Sequence, residues 1–156
     1  MGIFIRNAAM SDAAIIASNN SLMAEETEGR TLDPDIIGPG VAALLADVGK
    51  GRYWVAESAG RIVGQLMVTY EWSDWRNGTL WWIQSVYVAP DFRRQGVFSA
   101  LYHHVESLAA AQPDVCGLRL YVEDNNHRAQ RTYEALGMAK PGYVVMESML
   151  DKRDND

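Results

Sequence analysis

The stretch that decides the fold is Val86-Tyr87-Val88-Ala89-Pro90-Asp91-Phe92-Arg93-Arg94-Gln95-Gly96-Val97-Phe98-Ser99-Ala100. It reads as a strand that stops at Pro90, a short cationic turn, and a helix that opens at Gly96 with apolar spacing. The first turn of a helix carries backbone N–H groups without intrahelical partners, and the helix dipole adds partial positive charge there. Phosphate oxygens fill such vacancies when the turn lets them approach. Gly96 takes a side chain out of that approach, and Arg93 and Arg94 bring charge beside it. Paired arginines before a helix also suit a plain solvated turn, so the reading depends on what the rest of the chain supplies.

Upstream, residues 80–88 form the strand that enters this turn, and Asn77-Gly78 before it suits the positive φ angles of a tight hairpin. Residues 53–57 and 62–70 are two further strands joined by a short connection. At the N-terminus, residues 3–6 are a short strand. Ser11 then caps a helix to about Met23, with Ile15, Ile16, Asn19, Leu22 and Met23 on one side. An acidic stretch with Glu25, Glu26 and Glu28 leads to a weaker helix over about residues 40–48, set off by the turn Gly38-Pro39-Gly40. Downstream, Val97, Leu101, Val105 and Leu108 keep helical spacing until Pro113 ends the run. Residues 118–122 form a strand, Ala129, Tyr133 and Leu136 space a helix closed by Gly137, and residues 143–150 form a last β region. The order β-α-α-β-β-β-α-β-α-β, with hairpins first and a crossover helix later, predicts an α+β fold with a mixed, mostly antiparallel central sheet and flanking helices.

The 156 residues suit one domain over residues 1–150, followed by a charged tail at 151–156. With 48% hydrophobic and 22% charged residues, the composition is that of a globular chain. A net charge of -6 argues against a generic nucleic-acid binder and makes the cations of the turn local in purpose. The single cysteine, Cys116, excludes an intrachain disulfide framework and is expected to be a small core residue in a reducing compartment. There is no run long enough for a membrane helix and no secretory leader pattern, so a cytoplasmic location is expected.

Two motifs in this order resemble the GNAT superfamily of acyl-CoA-dependent N-acetyltransferases. The superfamily's phosphate loop, Arg/Gln-x-x-Gly-x-Gly/Ala, is matched at its first and fourth positions by Arg93 and Gly96, and departs at the sixth, where Phe98 stands. The second motif is Asn126, Ala129 and Tyr133 followed by Gly137-Met138. The resemblance covers nearly the whole chain. It implies a splayed strand pair holding acetyl-CoA as co-substrate, with the pantetheine arm against the backbone of Val86, Tyr87 and Val88. The pyrophosphate would lie on Arg93, Arg94, Gln95, Gly96, Val97, Phe98 and Ser99. Asn126 would bond the arm, and Tyr133 would direct its hydroxyl at the sulfur. Homodimerisation is a further expectation of the resemblance.

Acetyl transfer to an amine needs a neutral nucleophile, a polarised thioester carbonyl and a proton for the departing sulfur. A phenol with a pKa of about 10 is a workable donor to a thiolate whose acid has a pKa of about 8.5. The resemblance places Tyr133 in that role. Polarisation can come from a strand N–H near Val86 or Tyr87. The proton acceptor is less defined. Gln84 stands where many relatives carry a glutamate, and an amide accepts no proton at neutral pH. A water chain is one alternative. An acid from elsewhere is the other, with Glu71 and Asp74 favoured over Glu25, Glu26 and Glu28. Trp72 and Trp75, with Asp74 between them, are candidates for the edge of a pocket, since aromatic faces and carboxylates together suit a cationic amine. Trp81 and Trp82, by contrast, read as packing residues on opposite strand faces. His103-His104 lacks acidic or cysteine partners at ligand spacing, so no metal is expected; His127 reads as a solvated histidine at a helix start, with the cofactor edge as the alternative. The expected acceptor is thus a primary amine of a small molecule, or else a peptide or protein amino group. The alternative from another class is a non-catalytic acyl-CoA sensor. A nucleotide-binding α/β domain is disfavoured by the absence of a Gly-rich fingerprint near the first strand.

Overall fold

The computed structural model describes residues 2–150, so the tail at 151–156 lies outside the described residues. The chain divides into two compact units, one ending at Leu120 and one beginning at Tyr121. The first unit holds a five-stranded sheet in the order β1 (Phe4–Asn7), β2 (Arg52–Ser58), β3 (Arg61–Ser73), β4 (Gly78–Val88), β5 (Val115–Leu120). Neighbours from β1 to β4 are antiparallel, and β5 joins β4 in parallel. That change of direction requires a crossover, supplied by α3 (Val97–Ala110). This is the mixed α+β architecture that the element order implies.

Helices α1 (Ala13–Glu28) and α2 (Pro34–Ala46) cover one face of this sheet. Ile16 and Val41 pack there with Tyr53 and Val55 of β2, and all four are buried. On β3, Gly64 meets α3 while the adjacent Gln65 bonds to α1. Successive strand residues point to opposite faces, so α1 and α3 lie on opposite sides of the sheet. A Cβ at Gly64 would lie 2.7 Å from Val97 Cγ1, so the absent side chain is what lets α3 seat so closely.

Several boundaries differ from the sequence reading. Ser11 caps nothing; the Asp12 carboxylate instead accepts from the Ala9 N–H at 2.7 Å and closes a 3-10 turn over Met10–Asp12. Helix α1 runs on to Glu28 and stops at Gly29 with φ +62, so the acidic residues stand on its last turns rather than in a loop. Helix α2 begins at Pro34, capped by the Asp33 side chain on the Asp35 N–H, and Gly38-Pro39-Gly40 lies inside it. The cap and a proline in the first turn outweigh the breaker composition. In the β3–β4 hairpin only Asn77 has positive φ, and Gly78 is already a strand residue opposite Ser73. Gly78 is small for another reason, because a Cβ there would lie 3.0 Å from the Asp114 carbonyl oxygen. Cys116 is exposed, not core.

The second unit contains α4 (His127–Ala135). Its N-cap is Asn126, whose side chain accepts from the Ala129 N–H at 3.1 Å. Its end is a Schellman closure: Met138 N–H reaches Tyr133 O and Gly137 N–H reaches Glu134 O, with Gly137 at φ +95. Residues 121 and 122, expected at the end of a strand, lie beyond β5. Residues 143–150 are not a strand; they belong to no ladder, and Val144 and Met146 are 86% and 89% exposed. Their strand-forming composition is real, but a ladder also needs a partner edge.

Candidate active site

The end of β4 is bent out of its ladder. Gln65 pairs with Tyr87 and Met67 with Gln84, so Ser85 and Val86 together oppose the single residue Leu66. This is a β-bulge, and Ser85 takes φ +50, a left-handed conformation that costs a non-glycine residue about 1–3 kcal/mol. On the other side, pairing between β4 and β5 stops at Ile83 and Leu120. From Gln84 to Val88 the only strand paired with β4 among the described residues is therefore β3, leaving its other edge without a neighbouring strand, as a splayed pair requires.

Beyond β4 the chain makes a 3-10 turn at Pro90–Phe92 and reaches α3 through two left-handed residues, Arg94 at φ +62 and Gly96 at φ +80. No side chain caps α3, and its first intrahelical bond runs from Ala100 N–H to Gly96 O at 3.0 Å. The N–H groups of Val97, Phe98 and Ser99 thus precede the helix's own acceptors, which is the arrangement that holds phosphate oxygens. None of the described residues stands within 4 Å of a Cβ placed on Gly96, so glycine serves the backbone angle there rather than clearance. The loop is tethered by Arg61, which grips Asp91 with two bonds of 2.8 and 3.2 Å, and by Gln95 on the Asp91 carbonyl. Arg94 and Gln95 are exposed, and Phe98 is half-buried with its ring 6.1 Å from that of Tyr102.

Arg93 is engaged from within the unit. Its Nε donates to the Val88 carbonyl at 2.9 Å, its Nη2 meets Glu26 Oε1 at 2.7 Å, and its guanidinium lies over the Tyr87 ring. Tyr87 also donates its hydroxyl to Glu26. Bonding to Arg93 first, and to Tyr87, holds the Glu26 carboxyl below its usual range. Glu26 therefore stands beside Tyr87 at the end of β4, while Glu25 is exposed.

Glu71, a candidate proton acceptor, takes the Trp82 indole N–H at 2.7 Å and Arg119 at 2.9 Å. These donors lower its pKa, the Trp82 bond contributing most, and a carboxylate so held is a poorer base. The Gln84 amide donates to the Thr69 hydroxyl. Trp72 and Trp75 are 61% and 90% exposed at the hairpin tip with Asp74, so they form an open surface. Trp81 is buried and Trp82 half-buried, as packing residues are.

In the second unit, Asn126 spends its side-chain oxygen on the cap of α4, where it accepts from the Ala129 N–H. Tyr133 is half-buried, and burial pushes its phenol above the usual value. A phenol so raised stays protonated at neutral pH, the state a general acid must have. Gln130, which the sequence reading passed over, is buried and donates to the carbonyls of Glu123 and Asp124, holding the approach to α4. No group of three or more His, Cys, Asp or Glu among the described residues could hold a metal ion. None of the helices among the described residues is long and apolar enough to cross a membrane.

The sequence reading also missed a groove of about 560 Å³ beside α1, lined by Arg6, Asp12, Asn19, Glu57, Ile62 and Tyr87 among others. Its signal in the sequence was Arg6, a charged residue following the apolar Phe4 and Ile5 on β1.

Comparison with known proteins agrees with this geometry. Residues 20–138 match the sequence profile of the Acetyltransferase (GNAT) family. A solved structure of a possible acetyltransferase from Clostridium difficile 630 is 45% identical with a TM-score of 0.89, covering 95% of this chain and 97% of the other. A ribosomal-protein-alanine N-acetyltransferase from Brucella melitensis biovar Abortus 2308 shares the fold at 18% identity and a TM-score of 0.73, with 94% of this chain and 100% of the other covered. A curated relative, thialysine N-epsilon-acetyltransferase of Bos taurus, is 33% identical over 76 residues, which is 49% of this chain and 44% of that protein's length. A bulged and one-sided end of β4 leading into an uncapped helix start, together with these similarities, establishes that the chain belongs to the GNAT acetyltransferase family, whose members are acyl-CoA-dependent N-acyltransferases.

Proposed function

We propose that this chain moves an acetyl group from acetyl-CoA to a primary amine of a small molecule, with residues 1–150 serving as one acetyltransferase domain. The observation that carries the reading is the uncapped first turn of α3 directly after the bulged end of β4. Phosphate oxygens lie on the amides of Val97, Phe98 and Ser99, and the pantetheine arm pairs along Val86, Tyr87 and Val88. Asn126 donates to the arm through Nδ2.

The amine nitrogen attacks the thioester carbonyl carbon, and the C–S bond breaks as the amide forms. Tyr133 gives its hydroxyl proton to the departing sulfur, so that free CoA thiol leaves, and solvent re-protonates the phenolate. The amine's own proton passes to water, since Gln84 is an amide and Glu71 is held by Trp82 and Arg119. Exposed Trp72, Asp74 and Trp75 offer an approaching cationic amine aromatic and anionic surface. The name of the bovine relative points to thialysine and related lysine-like amines as the first acceptors to try, with peptide and protein amino groups as the second class. We place the reaction in a reducing, cytoplasmic compartment, in keeping with a lone exposed thiol.

The test is thiol release from acetyl-CoA across a panel of amines, for the unmutated chain and Tyr133→Phe. Expected are acceptor-dependent release and a fall in kcat of about 10²- to 10⁴-fold in the variant, larger than any change in acetyl-CoA affinity. Unchanged turnover in Tyr133→Phe would transfer the acid role to water. Reaction only with neutral or anionic acceptors would remove the cationic-amine assignment. Longer acyl-CoA donors in the same assay define the acyl group, and light scattering measures whether the protein is a homodimer.

A further inference from the structure

Gln65 is a polar side chain with no exposed surface, placed in the middle of a strand. Such a group is costly unless every donor and acceptor is met. Here they are met by two neighbouring elements, α1 and β4. The Nε2 group donates to Asn20 Oδ1 at 2.9 Å and to the Ser85 carbonyl oxygen at 3.1 Å, and Oε1 accepts from Asn19 at 3.1 Å. Asn20, itself 4% exposed, donates in turn to the Tyr53 hydroxyl at 3.0 Å, and the Ser85 side chain is a further partner of that hydroxyl. A fully satisfied buried network of this kind fixes one geometry.

The network converges on the one left-handed residue of the β4 bulge. In a trans peptide the carbonyl of Ser85 and the N–H of Val86 share a plane and point in opposite directions. The Gln65 amide draws the Ser85 oxygen toward the α1 face, so the Val86 N–H is turned the other way. An unclamped peptide at a bulge has no ladder partner to set its rotation.

We propose that Gln65 is a positioning residue for acetyl transfer: by holding the Ser85 carbonyl oxygen, it aims the Val86 N–H at the oxygen of the thioester carbonyl. This rests on the acetyl-transfer reading above. An oxyanion donor helps only when its direction is set before the charge develops, and Gln65 sets that direction from outside the site, touching neither acetyl-CoA nor the amine. Asn19 and Asn20 orient the Gln65 amide, so the first helix contributes to the direction of a β4 amide.

The test compares the unmutated chain with Gln65→Leu, which keeps the volume and removes both donors. The expected result is a fall in kcat of about 10- to 100-fold, short of the full ~10²–10³ for loss of an oxyanion donor, with KM for acetyl-CoA within about threefold. The carbonyl stretch of bound, carbonyl-labelled acetyl-CoA should move from a lowered frequency in the unmutated protein back toward the free value in the variant. An unchanged kcat or an unchanged stretch overturns the proposal, as does a proportional loss of kcat and acetyl-CoA affinity. If the variant does not fold, the Val86 amide proton of the unmutated chain decides. It should move downfield with acetyl-CoA and not with CoA, and equal shifts overturn the proposal. Absence of acceptor-dependent thiol release by the unmutated chain removes the acetyl-transfer reading and this inference with it; normal release with unaltered Gln65→Leu kinetics removes this inference alone.

Discussion

Asp12 joins the first strand to the first helix through two bonds from Arg6, at 2.8 and 3.0 Å, and one from the Ala9 N–H. Arg6 also reaches Glu57. The Arg6 bond, with the Ala9 amide behind it and burial opposing, holds the Asp12 carboxyl below its usual range. In the unfolded chain the same group titrates near about 3.9. A depressed folded value means that the contribution is complete above the unfolded value and is lost as pH falls through the folded one. Asp12→Asn should therefore lower Tm at pH 7, by about 1–3 kcal/mol of stability, and its acid limb below about pH 4 should be shallower than that of the unmutated protein. Melting curves from pH 2 to 7 measure both, and parallel acid limbs would refute the assignment. Residues of this kind were hard to read in advance. A lone Arg6, Asn20 or Gln65 in sequence looks like an ordinary polar residue, because what matters is the partner that a distant element delivers. Glu71 shows the converse: its acidity was legible, but not the indole and guanidinium that quench it as a base.

At the scale of elements, most of the sheet was legible because hydrophobic alternation and the stop at Pro90 are local signals. Helix ends were less so. Gly38-Pro39-Gly40 reads as a turn, yet tertiary packing of Ile37 and Val41 carries α2 through it. The Asn77-Gly78 pair marked the right hairpin with the wrong turn, since Gly78 answers to β5 across the sheet. Gly64 is an analogous case with a measurable outcome. An alanine there would press on Val97 at the start of α3. Overpacking of this sort costs about 1–3 kcal/mol, or about 2–4 °C of Tm per kcal/mol in a chain of this size. Because Val97 opens the helix whose amides we propose as the phosphate site, Gly64→Ala should also raise KM for acetyl-CoA while leaving kcat at saturation nearly unchanged. Calorimetric melting and steady-state kinetics on one sample test the two effects together, and a normal KM would separate the loop from the packing beneath it.

At the scale of the whole molecule, family and fold class were readable from two motifs and an element order, and the last β region was not. Alternation and β-branched residues identify a segment that can pair; they do not supply an edge for it. Six of the eight residues in Tyr143-Val144-Val145-Met146-Glu147-Ser148-Met149-Leu150 are large and apolar, and all six are more than 60% exposed. The consequence is colloidal. A β-prone run with a single charge, outside any ladder, is a nucleus for association between molecules at high concentration, against which the net charge of -6 gives only long-range repulsion that salt screens. Light scattering should therefore rise with salt as well as with protein concentration, and Val145→Lys should suppress that rise without changing turnover. If the variant scatters as the parent does, association nucleates elsewhere.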